Sequence, residues 1–314
     1  MTMSRSQAMP RKRAQGDTSP RAVVPSACLG RTFIAPAVAT ALLAAGAALH
    51  PLPAAAQGAS NASGNVPNFA PDPKVGWISG GTDYISLPTG PHPVTFEKDH
   101  PYIANGTGKQ PTWRVADLNN PILQPWVVDA LKKVNERALS GKDAFPPQVR
   151  CWPLGVPAFV LYPAQPVFFI QTPKEVAMIW QADNMVRRIQ LADRHSDNIK
   201  PSWFGESIGH YENGDTLVID TIGLNTRTFV DNYRTPHTDK LHVIERFRIM
   251  PDAKSLEVTV TVDDPGAFTT PWSAMQRYRR VENGPMLEES CAEGNFNYYN
   301  FDLEPMPHAD TPDF

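Results

Sequence analysis

Cysteine is nearly absent. Only Cys28, Cys151 and Cys291 occur among 314 residues, with no C-x-x-C spacing, which leaves no support for a structural zinc site or a thiol redox motif. The P-loop, the dinucleotide fingerprint and the C-x-x-C-H haem attachment are missing as well, so no cofactor is expected. Ser207, within Gly205 to Gly209, matches the letters G-x-S-x-G. A nucleophile elbow needs a strand before that serine and a helix after it. Here a hairpin strand follows, which sets a hydrolase triad aside. There is no repeat of fixed period and, beyond the leader, no low-complexity tract.

Basic residues run short after the start of the chain. Arg5, Arg11, Lys12, Arg13, Arg21 and Arg31 precede an uncharged apolar run, Thr32 to Leu49, and small residues ending in Ala54-Ala55-Ala56. That order describes a secretory signal over residues 1–56 with an A-x-A cleavage site. The rival is a retained membrane anchor, because the run approaches bilayer-spanning length. Pro36 and the many alanines make it weak for insertion, so no stable membrane insertion is expected after cleavage. Removing six basic and one acidic residue from totals of 29 and 32 leaves 23 and 31, a net charge of −8. This argues against nucleic acid or an anionic membrane as a partner. The expected location is periplasmic or secreted. An oxidising compartment favours joining Cys151 to Cys291 once Cys28 has left with the signal. A loop of that length stabilises by up to about 5 kcal/mol on the chain-entropy model; the alternative is two buried free thiols.

Residues 57–119 are rich in Pro, Gly, Asn and Thr and show no period of 2 or 3.6. They read as an irregular, extended wrap anchored by Trp77, Tyr84, Phe96, Tyr102 and Trp113, since a flexible linker would lack such rings. Residues 120–314 form the main domain. Pro121 to Ser140 is the one clear helix, with Trp126, Val127, Ala130, Leu131, Val134 and Ala138 on one face and Gly141 as its stop. That face is expected to lie against a sheet or to plug a barrel end. Strands are predicted near 156–161, 166–171, 175–180, 184–192, 207–212, 215–222, 240–249, 255–263 and 272–281. Asn213-Gly214 marks a type I′ hairpin turn. Short connections make neighbours antiparallel, and consecutive hairpins favour a closed barrel over a sandwich.

Period-2 alternation assigns the faces. Leu256, Val258, Val260 and Val262 form a purely apolar inward set. The set Leu241, Val243, Phe247 contains one intruder, Glu245, and the set Met185, Ile189, Leu191 contains Arg187. A carboxylate and a guanidinium on apolar faces suit a polar patch in a hydrophobic cavity. Glu245 is then a general acid/base or substrate anchor, since desolvation raises a carboxylate pKa. The plain alternative is that Glu245 and Arg187 pair with each other. Asp220 lies on the outward face near its strand's end, as a loop hydrogen-bonder or as the orienter of a histidine. His237 and His242 stand where the barrel mouth is expected. They are candidates for acid/base or ligand-binding roles, with exposed or structural histidines, or a metal site completed by Asp239, as alternatives. No metal is assigned. His210 is a weaker candidate, and Trp203, Trp272 and Tyr278 are candidates to line an aromatic substrate pocket.

Several stretches carry a resemblance: Cys151 to Pro157, Gln171-Thr172-Pro173, Val186 to Ile189, Trp203 to Gly209, Asp215 to Thr221, Pro236 to Phe247, Asp263 to Pro265 and Glu288 to Glu293. Together they resemble a family of secreted, mostly uncharacterised bacterial proteins with the pattern W-x-G-x-S-I-G, W-E-G-D-T-L-V-V-D-T and P-H-S/T-x-x-L-H-V-x-E-R-F. The match spans about half the chain and departs at Tyr211 to Gly214, where one residue is inserted. It implies a secreted β-rich domain and no particular reaction.

The expected fold is mainly β, an antiparallel calycin-like (lipocalin-like) barrel with one helix and a long irregular N-terminal segment. The expected function is acid/base chemistry in the barrel cavity on a small apolar or aromatic molecule, as a lyase, isomerase or hydrolase. Glu245 would be the acid or base, His242 and His237 its proton partners, Arg187 the anion stabiliser and Asp220 the orienting carboxylate. The alternatives are a non-catalytic barrel that binds a small hydrophobic ligand, and an accessory subunit whose outer sheet face binds another protein.

Overall fold

The computed structural model describes residues 66–102, 114–140, 151–162, 165–282, 284 and 286–290. The signal segment 1–56, Gly141 and Cys291 lie outside them. The described residues belong to one compact unit, Ala59–Phe314, and among them no helix is long and apolar enough to cross a membrane.

The described residues are mainly β, with ten strands among them: β1 (Val75–Ser79), β2 (Ile85–Ser86), β3 (Val167–Gln171), β4 (Glu175–Trp180), β5 (Met185–Leu191), β6 (Glu206–Glu212), β7 (Thr216–Ile222), β8 (His242–Ile249), β9 (Ser255–Asp263) and β10 (Trp272–Glu282). Nine of them, β1 and β3 to β10, close into a calycin-like barrel in the order β1-β3-β4-β5-β6-β7-β8-β9-β10-β1. β2 continues the line of β1 along the edge of β10. Closure removes the sheet edges that would otherwise invite aggregation.

Two features depart from the expected antiparallel meander. The first is at β5 and β6, which pair in parallel, Ile189 with Ser207 and Leu191 with Gly209. A parallel neighbour needs a crossover of a dozen or more residues, and residues 192–205 supply one without a helix. The second lies in the N-terminal wrap, which is not wholly irregular. β1 closes the barrel, pairing with β10 over five positions and with β3 through Trp77 and Val167. The expected strand at 156–161 is instead a 3-10 turn, Ala158–Leu161. That run is apolar on every side, and a short apolar run carries no period to tell the two apart.

A glycine sits at each of these weak seams. A Cβ on Gly76 would lie 2.8 Å from Pro166 Cβ, and one on Gly209 would lie 2.9 Å from the Val218 carbonyl oxygen. Gly76→Ala and Gly209→Ala should therefore each lower stability by about 1–3 kcal/mol, measured by urea denaturation. Unchanged midpoints would show that the seams have slack.

Register gives the barrel two unlike ends. Tight turns join β3 to β4, β6 to β7 and β8 to β9 at one end. At the β6–β7 turn Asn213 and Gly214 both have positive φ, as a type I′ turn requires. The other end carries the long segments 223–241 and 264–271 and the 3-10 turn, whose Val160 carbonyl accepts the Tyr278 hydroxyl at 2.7 Å.

The helix, α1 (Pro125–Leu139), docks at this long-loop end. Leu123 bridges to Phe268, and the Gln124 amide donates to the Ala267 carbonyl at 2.9 Å. Val127, Leu131 and Ala138 are buried as expected. Trp126 is not: it is 42% exposed and donates its indole N–H to the Gly266 carbonyl. The buried polar residue is Asn135, which accepts from the Ala116 amide at 2.8 Å and donates to its carbonyl at 2.9 Å.

Candidate active site

The inward faces follow the alternation. Leu256, Val258, Val260, Val262, Val243 and Phe247 are buried, and so are the two intruders, Arg187 and Glu245, each at 0% exposure. They face each other. Arg187 Nη1 donates to Glu245 Oε1 at 3.1 Å and Nη2 to Glu245 Oε2, a two-pronged pair. Nη2 also donates to Thr221 Oγ1 at 2.9 Å, and Ser207 Oγ lies 2.9 Å from Thr221 Oγ1. Every charged atom thus has a partner, as a desolvated pair requires. Glu245 adds to the burial that pushes the Tyr84 and Tyr278 hydroxyls well above their usual pKa. With no solvent contact, this pair reads as a sealed core feature.

His242 opens the same strand as Glu245 but projects from the opposite, outer face. Its Nε2 lies 2.8 Å from Asp220 Oδ1. The same oxygen meets Nε2 of His195 at 3.1 Å, and His195 Nδ1 lies 3.1 Å from Glu206 Oε1. Ser196 completes the chain, its amide donating to Glu206 Oε1 at 2.7 Å and its hydroxyl to Oε2 at 2.5 Å. These Ser196 bonds, more than the His195 contact, hold the Glu206 carboxyl below its usual pKa. The side chains of His242 and Asp220 are 39% and 36% exposed, and that of His195 17%. The site therefore lies at the long-loop end of the outer face of β6, β7 and β8, under the 192–205 crossover.

The expected residues thus fall into three places. Arg187 and Glu245 are together inside; Asp220 and His242 are together outside; His237 stands apart. His237 is buried in the β7–β8 connection, with Nδ1 donating to the Thr238 carbonyl at 2.8 Å and Nε2 2.8 Å from Thr228 Oγ1. Burial lowers its pKa, and both ring nitrogens are occupied. The aromatic trio is not one pocket either. Trp272 and Tyr278 point inward from β10 six residues apart, about 20 Å along a strand, with Trp272 packed edge-on to Tyr84 and Phe268. Trp203, half-buried in the crossover, lies 5.6 Å from Trp152. His210 pairs with Glu212 on the exposed side of the hairpin at 3.0 Å.

His195, Ser196 and Glu206 were missed. Glu206 shares the outward face with Asp220 once the hairpin register, Ile208 opposite Asp220, is drawn. Nothing in the sequence marks His195, because only the parallel crossover carries it back over that face. Among the described residues no group of three His, Cys, Asp or Glu side chains is arranged to hold a metal ion. A separate groove of about 450 Å3, lined by Asp215, Arg246, Arg248, Glu257 and Thr259, lies toward the tight-turn end of β8. Its arginines are already paired, Arg246 with Glu212 and Arg248 with Asp215.

In the β7–β8 connection Asp231 is buried and accepts from the amides of Tyr233 and Thr235 and from the Thr235 hydroxyl. Burial outweighs these bonds and raises its pKa from 3.8 to about 6. The folded state therefore holds this proton more tightly than the unfolded chain. That contribution to stability is full below the unfolded value and is lost as pH rises through about 6, by up to about 3 kcal/mol. Asp231→Asn lacks this titration. Wild type should lose stability relative to the variant between pH 4 and 7.5 in urea denaturation, and a constant difference would contradict the assignment.

No protein-family model matches the chain, and no match was found among curated proteins.

Proposed function

We propose that the protein is an acid/base enzyme of the lyase, isomerase or hydrolase type, acting without a nucleotide cofactor on a small apolar or aromatic molecule. The observation that carries this is the His242–Asp220 contact at 2.8 Å on a half-exposed face. Asp220 accepts the Nε2 proton of His242, which leaves the lone pair of the neutral ring on Nδ1. A base oriented by a carboxylate is the arrangement that proton abstraction uses. His242 would take a proton from the substrate, Asp220 would stabilise the imidazolium, and the proton would return to product or water. Trp203 sits in the crossover that supplies His195, which fits an apolar or aromatic substrate. In this proposal the sealed Arg187–Glu245 pair supports the strands beneath the site and does not touch the substrate.

The proposed setting is the periplasm or the exterior. It is supported by the basic and apolar leader, by the resemblance to secreted proteins, and by the expected Cys151–Cys291 bridge. In that setting Cys151 would join Cys291, which lies outside the described residues.

The proposal is tested by incubating wild type and His242→Ala with pools of small aromatic and apolar metabolites and following each mass. Conversion by wild type alone is expected. Identical mass profiles, with a ligand bound equally by both, would instead favour a binding barrel.

A further inference from the structure

His195 is the one imidazole in the cluster with a carboxylate oxygen at each ring nitrogen, Glu206 Oε1 at Nδ1 and Asp220 Oδ1 at Nε2, both at 3.1 Å. Ionised carboxylates only accept hydrogen bonds, whereas a neutral imidazole carries one N–H and one lone pair. A neutral ring would therefore set a lone pair against one carboxylate. Glu206 also takes two hydrogen bonds from Ser196, which keep it ionised. The remaining arrangement is an imidazolium donating from both nitrogens.

We infer that His195 is the cationic positioning residue of the site, doubly protonated, clamping the 192–205 crossover to β6 and β7 and fixing the Asp220 carboxylate toward His242. This rests on the proposed role of His242, but it is read from the resting protein. The groups that face the ring are Glu206 from β6 and Asp220 from β7, with His242 of β8 reached through Asp220. In its own segment Arg194 is paired with Asp197 at 3.3 Å, both on the exposed side.

Removing the His195 ring would release one end of the clamp and free Asp220 from its orientation toward His242.

The test is nitrogen NMR of the histidine rings in the intact mature protein, wild type and Glu206→Gln, across pH 5 to 9. Wild type should show both His195 nitrogens protonated at pH 7, while Glu206→Gln, which loses one of the two facing carboxylates, shows a single-proton tautomer there. A single-proton tautomer of His195 at pH 7 in wild type would overturn the inference, whatever the variant does. Since no substrate enters the measurement, a cationic His195 together with full turnover by His242→Ala would reject only the proposed catalysis. His195→Gln, which keeps one donor, should lower kcat with KM little changed; an unchanged kcat would reduce His195 to a structural contact.

Discussion

Arg187→Ala should lower the free energy of unfolding by roughly 3–5 kcal/mol, because it leaves the Glu245 carboxylate buried without its partner. For a domain of this size that corresponds to a fall in Tm of roughly 6–20 °C. The loss comes from desolvation without compensation more than from the attraction itself. Replacing both members, Arg187→Met with Glu245→Leu, should therefore recover much of it. The Ser207 and Thr221 hydroxyls keep each other as partners at 2.9 Å in that variant, so no new orphan is created. A double variant as unstable as the single one would mean that the guanidinium also supports the barrel through Ser207 and Thr221 in a way hydrophobic packing does not replace.

His242→Ala should leave Tm almost unchanged while removing turnover. The ring is partly exposed and its bond to Asp220 lies on the sheet surface, and substitutions in such places usually shift stability by no more than about 0.5 kcal/mol. Loss of a positioned acid/base group costs about 100- to 10,000-fold in rate. Asp220→Asn should be milder in binding and still severe in turnover, since its amide oxygen can accept from one imidazole but carries no charge to stabilise the protonated ring. Circular dichroism with a kinetic assay on the converted metabolite separates the two effects.

The alternation of β8 and β9 was legible because each strand buries one face and shows the other to water. The same rule marks Arg187 and Glu245 as intruders on apolar faces, and the barrel brings them together although two strands separate them in the chain. It also put Asp220 on the outer face, but His242 was expected at the barrel mouth beside Glu245, and the structure sets it on the outer face with Asp220 instead. Joining all of these with His237 into one cavity site failed because adjacent positions on a strand point to opposite sides of the sheet. β1 escaped notice because five residues with a glycine at the second position carry too little periodicity, and its identity depends on β10 and β3, far away in sequence. His195 was invisible for a related reason. A crossover's path depends on the parallel pairing of β5 and β6, and the expected hairpin would have carried residues 192–205 elsewhere.

The most direct measurement is a side-by-side assay of Tm and turnover for His242→Ala and for the Arg187→Met, Glu245→Leu pair. If proton exchange occurs on the outer face, the first variant keeps wild-type Tm and loses turnover by at least about 100-fold, while the second, once folded, turns over substrate at close to the wild-type rate. Full activity in His242→Ala, with activity abolished in a well-folded interior double variant, would place the chemistry inside the barrel and contradict the outer-face site.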